Sequence, residues 1–172
     1  HIVGYLLSAG TRIDRVFEIS RNKRKSEILS SLIEETRRHV SVNSKEKLEE
    51  ITYDENGKKL RKLFLLINIA TLVCKSEKQY RFPFDIYKKE KWDIEHIHAN
   101  ADTSAESDDS LGNLTLLSAE INRSYKDAIF KDKRSFIINE DMKGKFIPIC
   151  TKNVFIKYYS SQVKDMNTWD DD

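Results

Sequence analysis

The sequence predicts an α+β chain, mainly helical, in which a small β element interrupts a run of helices. Three observations predict this. Residues 58–74 carry Leu60, Leu63, Phe64, Ile67, Ala70, Thr71 and Cys74 at three- and four-residue steps, the repeat of one helical face. After Pro83, which ends any helix that reaches it, aromatic and β-branched residues alternate with polar ones through residues 92–98. A second short apolar run, LTLLS at 114–118, follows a polar loop. Helices, then strand–loop–strand–helix, then helices is the order of a helical domain built round one hairpin.

Composition sets the limits. At 172 residues the chain fits one compact domain, with a helical part over 1–80, the β-containing core over 81–140 and a helical segment over 141–172. Hydrophobic residues make up 39% and charged residues 34%, with both signs interspersed, which excludes a disordered tail. The net charge of +2 excludes a bulk polycation, so any nucleic-acid binding rests on a local patch. Cys74 and Cys150 stand far apart in apolar surroundings and read as buried, reduced thiols of a cytoplasmic protein, not as a zinc site. The opening HIVGYLLSAG is far too short to span a membrane and lacks the basic start of a signal peptide. It reads as a helix begun mid-chain in a fragment of a longer protein. The closing NTWDDD, with Trp169 lacking a partner segment after it, reads the same way.

The remaining elements follow in order. Ile28, Leu29, Leu32, Ile33 and Val40 fall near one face of a helix over 26–40, with Ser26 as its N-cap. The basic RNKRK before it reads as a solvated loop, with a phosphate contact as the lesser alternative. DENG at 54–57 is a turn signal ahead of the long core helix, to which no chemistry attaches. In the strand over 92–98, His96 and His98 face one way and Glu95 and Ile97 the other. The acidic AESDDS within the following loop is expected at a rim or folded away. Ile121, Tyr125, Ile129 and Phe136 give one helix, or two joined near Asp127. Thr151 or Asn153 caps a last helix carrying Val154, Phe155 and Tyr158.

The chemistry concentrates in the strand–loop–strand–helix unit. The first strand supplies Glu95 and His96, the start of the second supplies Asn113 in LGNLTLLS, and the next helix supplies Asn122 in AEINRSYK. A hairpin with a helix packed on it can bring all four to one point. Their types suit phosphodiester hydrolysis, which needs a base for water, a cation for the developing charge and groups that orient both. Histidine titrates near neutral pH and fits the base. A carboxylate plus an amide oxygen is a hard ligand set, suited to Mg²⁺ or Mn²⁺ with retained waters better than to Zn²⁺.

The residues DIEHIHA … GNLTLLSAEINRSYK resemble the HNH, or ββα-metal, nuclease motif. The resemblance implies that His96 is the general base and Glu95 the acidic metal ligand. It implies that Asn113 braces the base, that Asn122 is the second metal ligand and that Lys126 is the basic residue following it. Ala99 stands where many members have Pro, Glu95 where most have Asp, and Ser118 and Ile121 where zinc-stapled members carry cysteines. No structural zinc is therefore expected. HIVGYLL, RFPFDIYKKEKWDIEHIH, GNLTLLSAEINRSYKDAIFKDKR and FIPICTKNVFIKYY together resemble the C-terminal region of GmrSD-type bacterial restriction proteins. That family implies cleavage or nicking of phage or modified DNA, and an N-terminal ParB/sulfiredoxin-like nucleotide-hydrolysing domain in the parent chain.

Several residues carry two readings. His98 is either a contact to phosphate or a metal-bound water, or a solvated strand residue. Asp93 is either a carboxylate behind the metal ligands or a surface group. Arg123, Lys126, Lys131, Lys133 and Arg134 either track a DNA backbone or form a solvated helix face. The reading adopted is a cytoplasmic Mg²⁺- or Mn²⁺-dependent DNA endonuclease leaving 5′-phosphate and 3′-hydroxyl ends. Its rivals are a catalytically weak HNH-fold module that binds DNA and depends on the N-terminal domain, and a helical protein–protein domain with a fortuitous motif.

Overall fold

The computed structural model describes residues 1–40, 45–53, 57–75, 81–98, 108–125 and 128–169. Among the described residues, six helices precede the hairpin: α1 Ile2–Ser8, α2 Ile13–Ser20, α3 Lys25–Val40, α4 Lys45–Glu49, α5 Gly57–Cys74 and α6 Phe84–Lys89. Strand β1 Trp92–His96 and strand β2 Leu114–Ser118 flank a 3₁₀ turn at Leu111–Asn113. Helices α7 Ala119–Tyr125, α8 Phe130–Met142 and α9 Ile149–Phe155 follow. The mainly helical α+β class is the one observed, and the segment after β2 forms two helices, not one.

The strands pair antiparallel, with Trp92 opposite Ser118 and His96 opposite Leu114. This register puts Trp92, Ile94 and His96 on one face and Asp93 and Glu95 on the other. The first face packs Trp92, Ile94, Leu114 and Leu116 against Leu60 and Phe64 of α5. Behind the second face, Leu117 joins Ile121, Phe130, Ile137 and Phe155 of α7, α8 and α9. All five residues of β2 are buried, which is why it reads as a continuous apolar run and not as an alternation. A third cluster gathers Tyr5, Leu6, Val16, Ile19 and Leu32 of α1–α3 round Leu65 and Ile69 of α5. Ile51, Tyr87, Leu111 and Phe146 touch both this cluster and the first sheet face.

α5 is therefore covered on two sides. Its buried set, Leu60, Leu63, Phe64, Leu65, Asn68 and Ile69, is wider than one stripe. Asn68 is fully buried, but its Nδ2 donates to the Phe64 carbonyl at 2.8 Å and its Oδ1 accepts from the Cys150 N–H at 2.8 Å, tying α5 to α9. Towards its C-terminal end α5 emerges: Ala70 and Cys74 are exposed, against the expectation of a core face and a buried thiol. Cys150 is half-buried, and burial pushes its thiol up. At α1, Gly4 allows the Phe84 ring to lie where a Cβ would stand only 2.4 Å from it.

Three other local expectations shift. α3 begins at Lys25, so Ser26 lies inside it, and the Glu27 carboxylate accepts the Arg24 N–H at 2.8 Å in place of a serine cap. Leu29 and Ile33 of that helix face outward. Thr151 and Asn153 lie within α9, whose N-cap is Pro148. The Thr151 hydroxyl donates to the Leu116 carbonyl of β2 at 2.5 Å. Trp169 packs against Phe130, ring centroids 5.6 Å apart.

Candidate active site

β1 ends at His96, one turn of the pleat earlier than the alternation suggested, because Asn113 takes hold of the chain there. The Ile97 N–H donates to the Asn113 carbonyl at 2.8 Å. The His98 N–H donates to Asn113 Oδ1 at 2.8 Å. Asn113 Nδ2 donates in turn to the His98 carbonyl at 3.2 Å and the Asp108 carbonyl at 2.9 Å. Asn113 is buried, so its own end of each bond is shielded from water. The bracing expected of Asn113 thus runs through backbone. It clamps both sides of the loop and does not touch the His96 ring.

His96 faces the α5 side of the sheet. Its Nε2 lies 2.7 Å from Asp109 Oδ1, with both side chains half-buried. The Tyr53 ring leans on the imidazole, centroids 5.0 Å apart. The Tyr53 N–H donates to the Asp109 carbonyl at 3.2 Å, and Thr52 bridges Ser110. The segment between α4 and α5 therefore docks the acidic loop against the histidine. An ionised carboxylate only accepts, so in the neutral imidazole this contact selects the tautomer with the proton on Nε2 and the lone pair on Nδ1. Asp108 lies beside this pair. Hydrogen bonds from the Ser110 hydroxyl and N–H hold its carboxyl below the usual range, with His96 and His98 adding to the effect.

Neither Asp109 nor Tyr53 was expected here. The acidic stretch is expected at a rim or folded away, and one of its carboxylates is turned onto the histidine. Thirteen residues separate His96 from Asp109, so no local spacing marks the pair.

Glu95 faces the opposite side of the strand, towards α8. Its Oε1 accepts from Lys133 Nζ at 2.6 Å, and the same ammonium donates to the His96 carbonyl at 2.7 Å. Lys133 is 1% exposed. The expectation that it tracks a phosphate backbone is corrected on this point: its ammonium is turned inward onto β1. The Tyr125 ring lies 5.7 Å from that ammonium. Burial first, and the Glu95 charge second, push the Tyr125 hydroxyl well above its ordinary range. Among the described residues that buried hydroxyl has no hydrogen-bond partner.

Asn122 is half-buried on α7, next to the core residue Ile121, and among the described residues its amide makes no hydrogen bond. The buried Ser118 Oγ accepts the Ile121 N–H at 3.4 Å and so holds the first turn of α7. Arg123 is exposed on the same helix. His98 is half-buried beyond the end of β1, and Asp93 is half-buried near the strand's start. Lys126 and Ala99 lie outside the described residues. Among the described residues no three His, Cys, Asp or Glu side chains converge as a metal cage.

The hairpin, its asparagine clamp and the helix packed on it lie within a segment that matches a family model. The model described as GmrSD restriction endonucleases, C-terminal domain, matches residues 39–172. The chain belongs to this family. Comparison with curated proteins and with solved structures gave no match. Membership in the GmrSD C-terminal family gives the chain a nuclease function of the restriction-endonuclease type. The matched span contains every residue of the site, from Tyr53 to Lys133. No helix among the described residues is long and apolar enough to cross a membrane.

Proposed function

We propose that the chain is a metal-dependent DNA endonuclease with an HNH-type site, acting in the bacterial cytoplasm against phage or modified DNA. The observation that carries this reading is the His96–Asp109 pair at the clamped end of β1. Asp109 fixes the tautomer, so Nδ1 of His96 takes the proton from the attacking water. Asp109 then stabilises the imidazolium, as the carboxylate of any His–carboxylate pair does. Asn113 acts through the backbone, holding the turn in which the imidazole is presented.

Glu95 and Asn122 fit a hard divalent cation. They offer a carboxylate and an amide oxygen from β1 and α7, and the Asn122 amide has no other engagement among the described residues. With so few protein ligands, water and substrate would complete the shell, the habit of Mg²⁺ and Mn²⁺. Such an ion supplies Lewis acidity at the phosphate and at the departing 3′ oxygen. The expected products carry 5′-phosphate and 3′-hydroxyl ends. Exposed Arg123, together with His98 and Lys126, is assigned to the substrate backbone, with Asp93 behind the strand. An N-terminal ParB/sulfiredoxin-like nucleotide-hydrolysing domain is the partner this reading assigns in the parent chain.

Plasmid nicking in Mg²⁺ or Mn²⁺ tests the reading. His96→Ala should lose about 10²–10⁴-fold, the usual worth of a general base. Asp109→Asn should lower turnover while leaving KM unchanged. Equal nicking by wild type and His96→Ala would overturn the assignment. A second reading, a DNA-binding module with negligible cleavage, is favoured by one observation: Glu95 Oε1 is already engaged by the Lys133 ammonium. Wild type that binds DNA and does not nick it decides for that module.

A further inference from the structure

The α5–α6 side of the molecule carries a groove of about 650 Å³ that the site above does not use. Lys58, Arg61 and Lys62 line it from α5, and Lys88 and Lys91 from the end of α6 and the start of β1. Positions 58, 61 and 62 are three and four residues apart, so one helical face presents all three. Glu90 and Asp93 also reach the groove. Five cations against two carboxylates leave an excess of three, more than the +2 of the whole chain. Several cations elsewhere are neutralised locally. Arg12, Arg15, Arg37, Arg38, Lys45 and Lys143 each pair with a carboxylate. Among the described residues, Lys58, Arg61, Lys88 and Lys91 form no ion pair. Lys58, Lys88 and Lys91 are exposed. Unpaired like charges on the walls of one groove repel each other and concentrate anions there.

We propose that this groove binds the phosphate backbone of the nucleic-acid substrate, as the positioning site of the nuclease proposed above. It lies on the right side for that. Trp92, which floors it, and His96 share the α5-facing side of β1. Four residues of strand separate them, about 13 Å at 3.3 Å per residue. That is roughly four base pairs along a duplex axis. The Tyr87 and Trp92 rings, stacked 5.0 Å apart at 16°, add an apolar part to the lining. Backbone contacts of this kind set register and carry no sequence information.

The test is binding of a labelled 20-base-pair duplex in EDTA, where no cleavage is needed. Wild type is compared with a quadruple variant, Lys58→Ala, Arg61→Ala, Lys88→Ala and Lys91→Ala, across a salt titration. Lys62 is left in place because it holds His39. The quadruple variant should bind at least tenfold more weakly. Its plot of log affinity against log salt should be shallower by about 0.9 for each phosphate contact removed. If that variant fails to fold, Lys88→Glu with Lys91→Glu, both at exposed positions, should show the same loss. Unchanged affinity and slope would overturn the proposal, as would wild type that fails to bind the duplex. Complete competition by ATP at matched ionic strength would also overturn it, marking a small-phosphate site instead. Loss of nicking with duplex binding intact strikes the catalytic reading and leaves the groove standing.

Discussion

Lys133 and Glu95 form an ion pair that solvent scarcely touches, with side chains 2% and 14% exposed. Two charges in such a place are held by each other and by the His96 carbonyl, and removing one strands the other. Breaking a buried pair from one side costs about 3–5 kcal/mol, whereas replacing both partners together is often close to neutral. Lys133→Met should therefore destabilise the fold by roughly 3 kcal/mol or more. Adding Glu95→Gln should restore most of that loss. Urea unfolding of the two variants checks this, and a double variant no more stable than the single would show that the pair is not the cause. Nothing local in KDKRSF distinguishes Lys133 from its neighbours. Lysine is almost never fully buried, so reading it as a solvent-facing cation was the ordinary inference, and only the approach of α8 to β1 reverses it. Asp109 was hidden for a similar reason: its partner is distant in sequence and its acidic neighbours suggested a solvated loop.

At the scale of the elements, the hairpin was readable because its signals are local. Pro83, the alternation into β1 and the apolar LTLLS run each act within a few residues, and the strands fell where they indicated. So did α5, whose repeat is long. The errors lie where a tertiary neighbour overrides a local pattern. α5 is covered from two sides and so buries Leu65 and Ile69 outside the predicted stripe. β1 stops at His96 because Asn113 captures the next residues, turning His98 out of the strand's alternation. That capture makes a prediction of its own. Asn113→Ala removes three side-chain hydrogen bonds to backbone, each worth about 1 kcal/mol. It should lower stability by about 2–3 kcal/mol and abolish nicking, since the turn that presents His96 loses its clamp. Asn113→Asp keeps only the acceptor for the His98 N–H and should fall between. Amide exchange of residues 97 and 98 reports the opening directly, and unchanged protection in Asn113→Ala would remove the clamp from the account.

For the whole molecule, one histidine joins three parts of the helical half. His39, near the end of α3, meets Thr11 between α1 and α2 through Nε2 at 2.6 Å, and Lys62 of α5 through Nδ1 at 3.2 Å. An ammonium only donates, so Nδ1 must accept, and the neutral Nε2–H tautomer satisfies all three groups. A protonated ring would instead point Nδ1–H at the Lys62 ammonium. Burial first, and Lys62 second, accordingly hold the His39 pKa below its ordinary value, against a smaller opposing pull from Glu35. The unfolded chain then binds a proton at this position more readily than the folded chain does, so stability falls as pH drops below about 6.5. Above that pH both states are neutral there and the contribution is fully present. Denaturant midpoints at pH 7.5 and 5.5 should fall further on acidification in wild type than in His39→Gln, which keeps an amide oxygen for Lys62 and cannot charge. An equal fall in both would assign the acid sensitivity to carboxylates elsewhere.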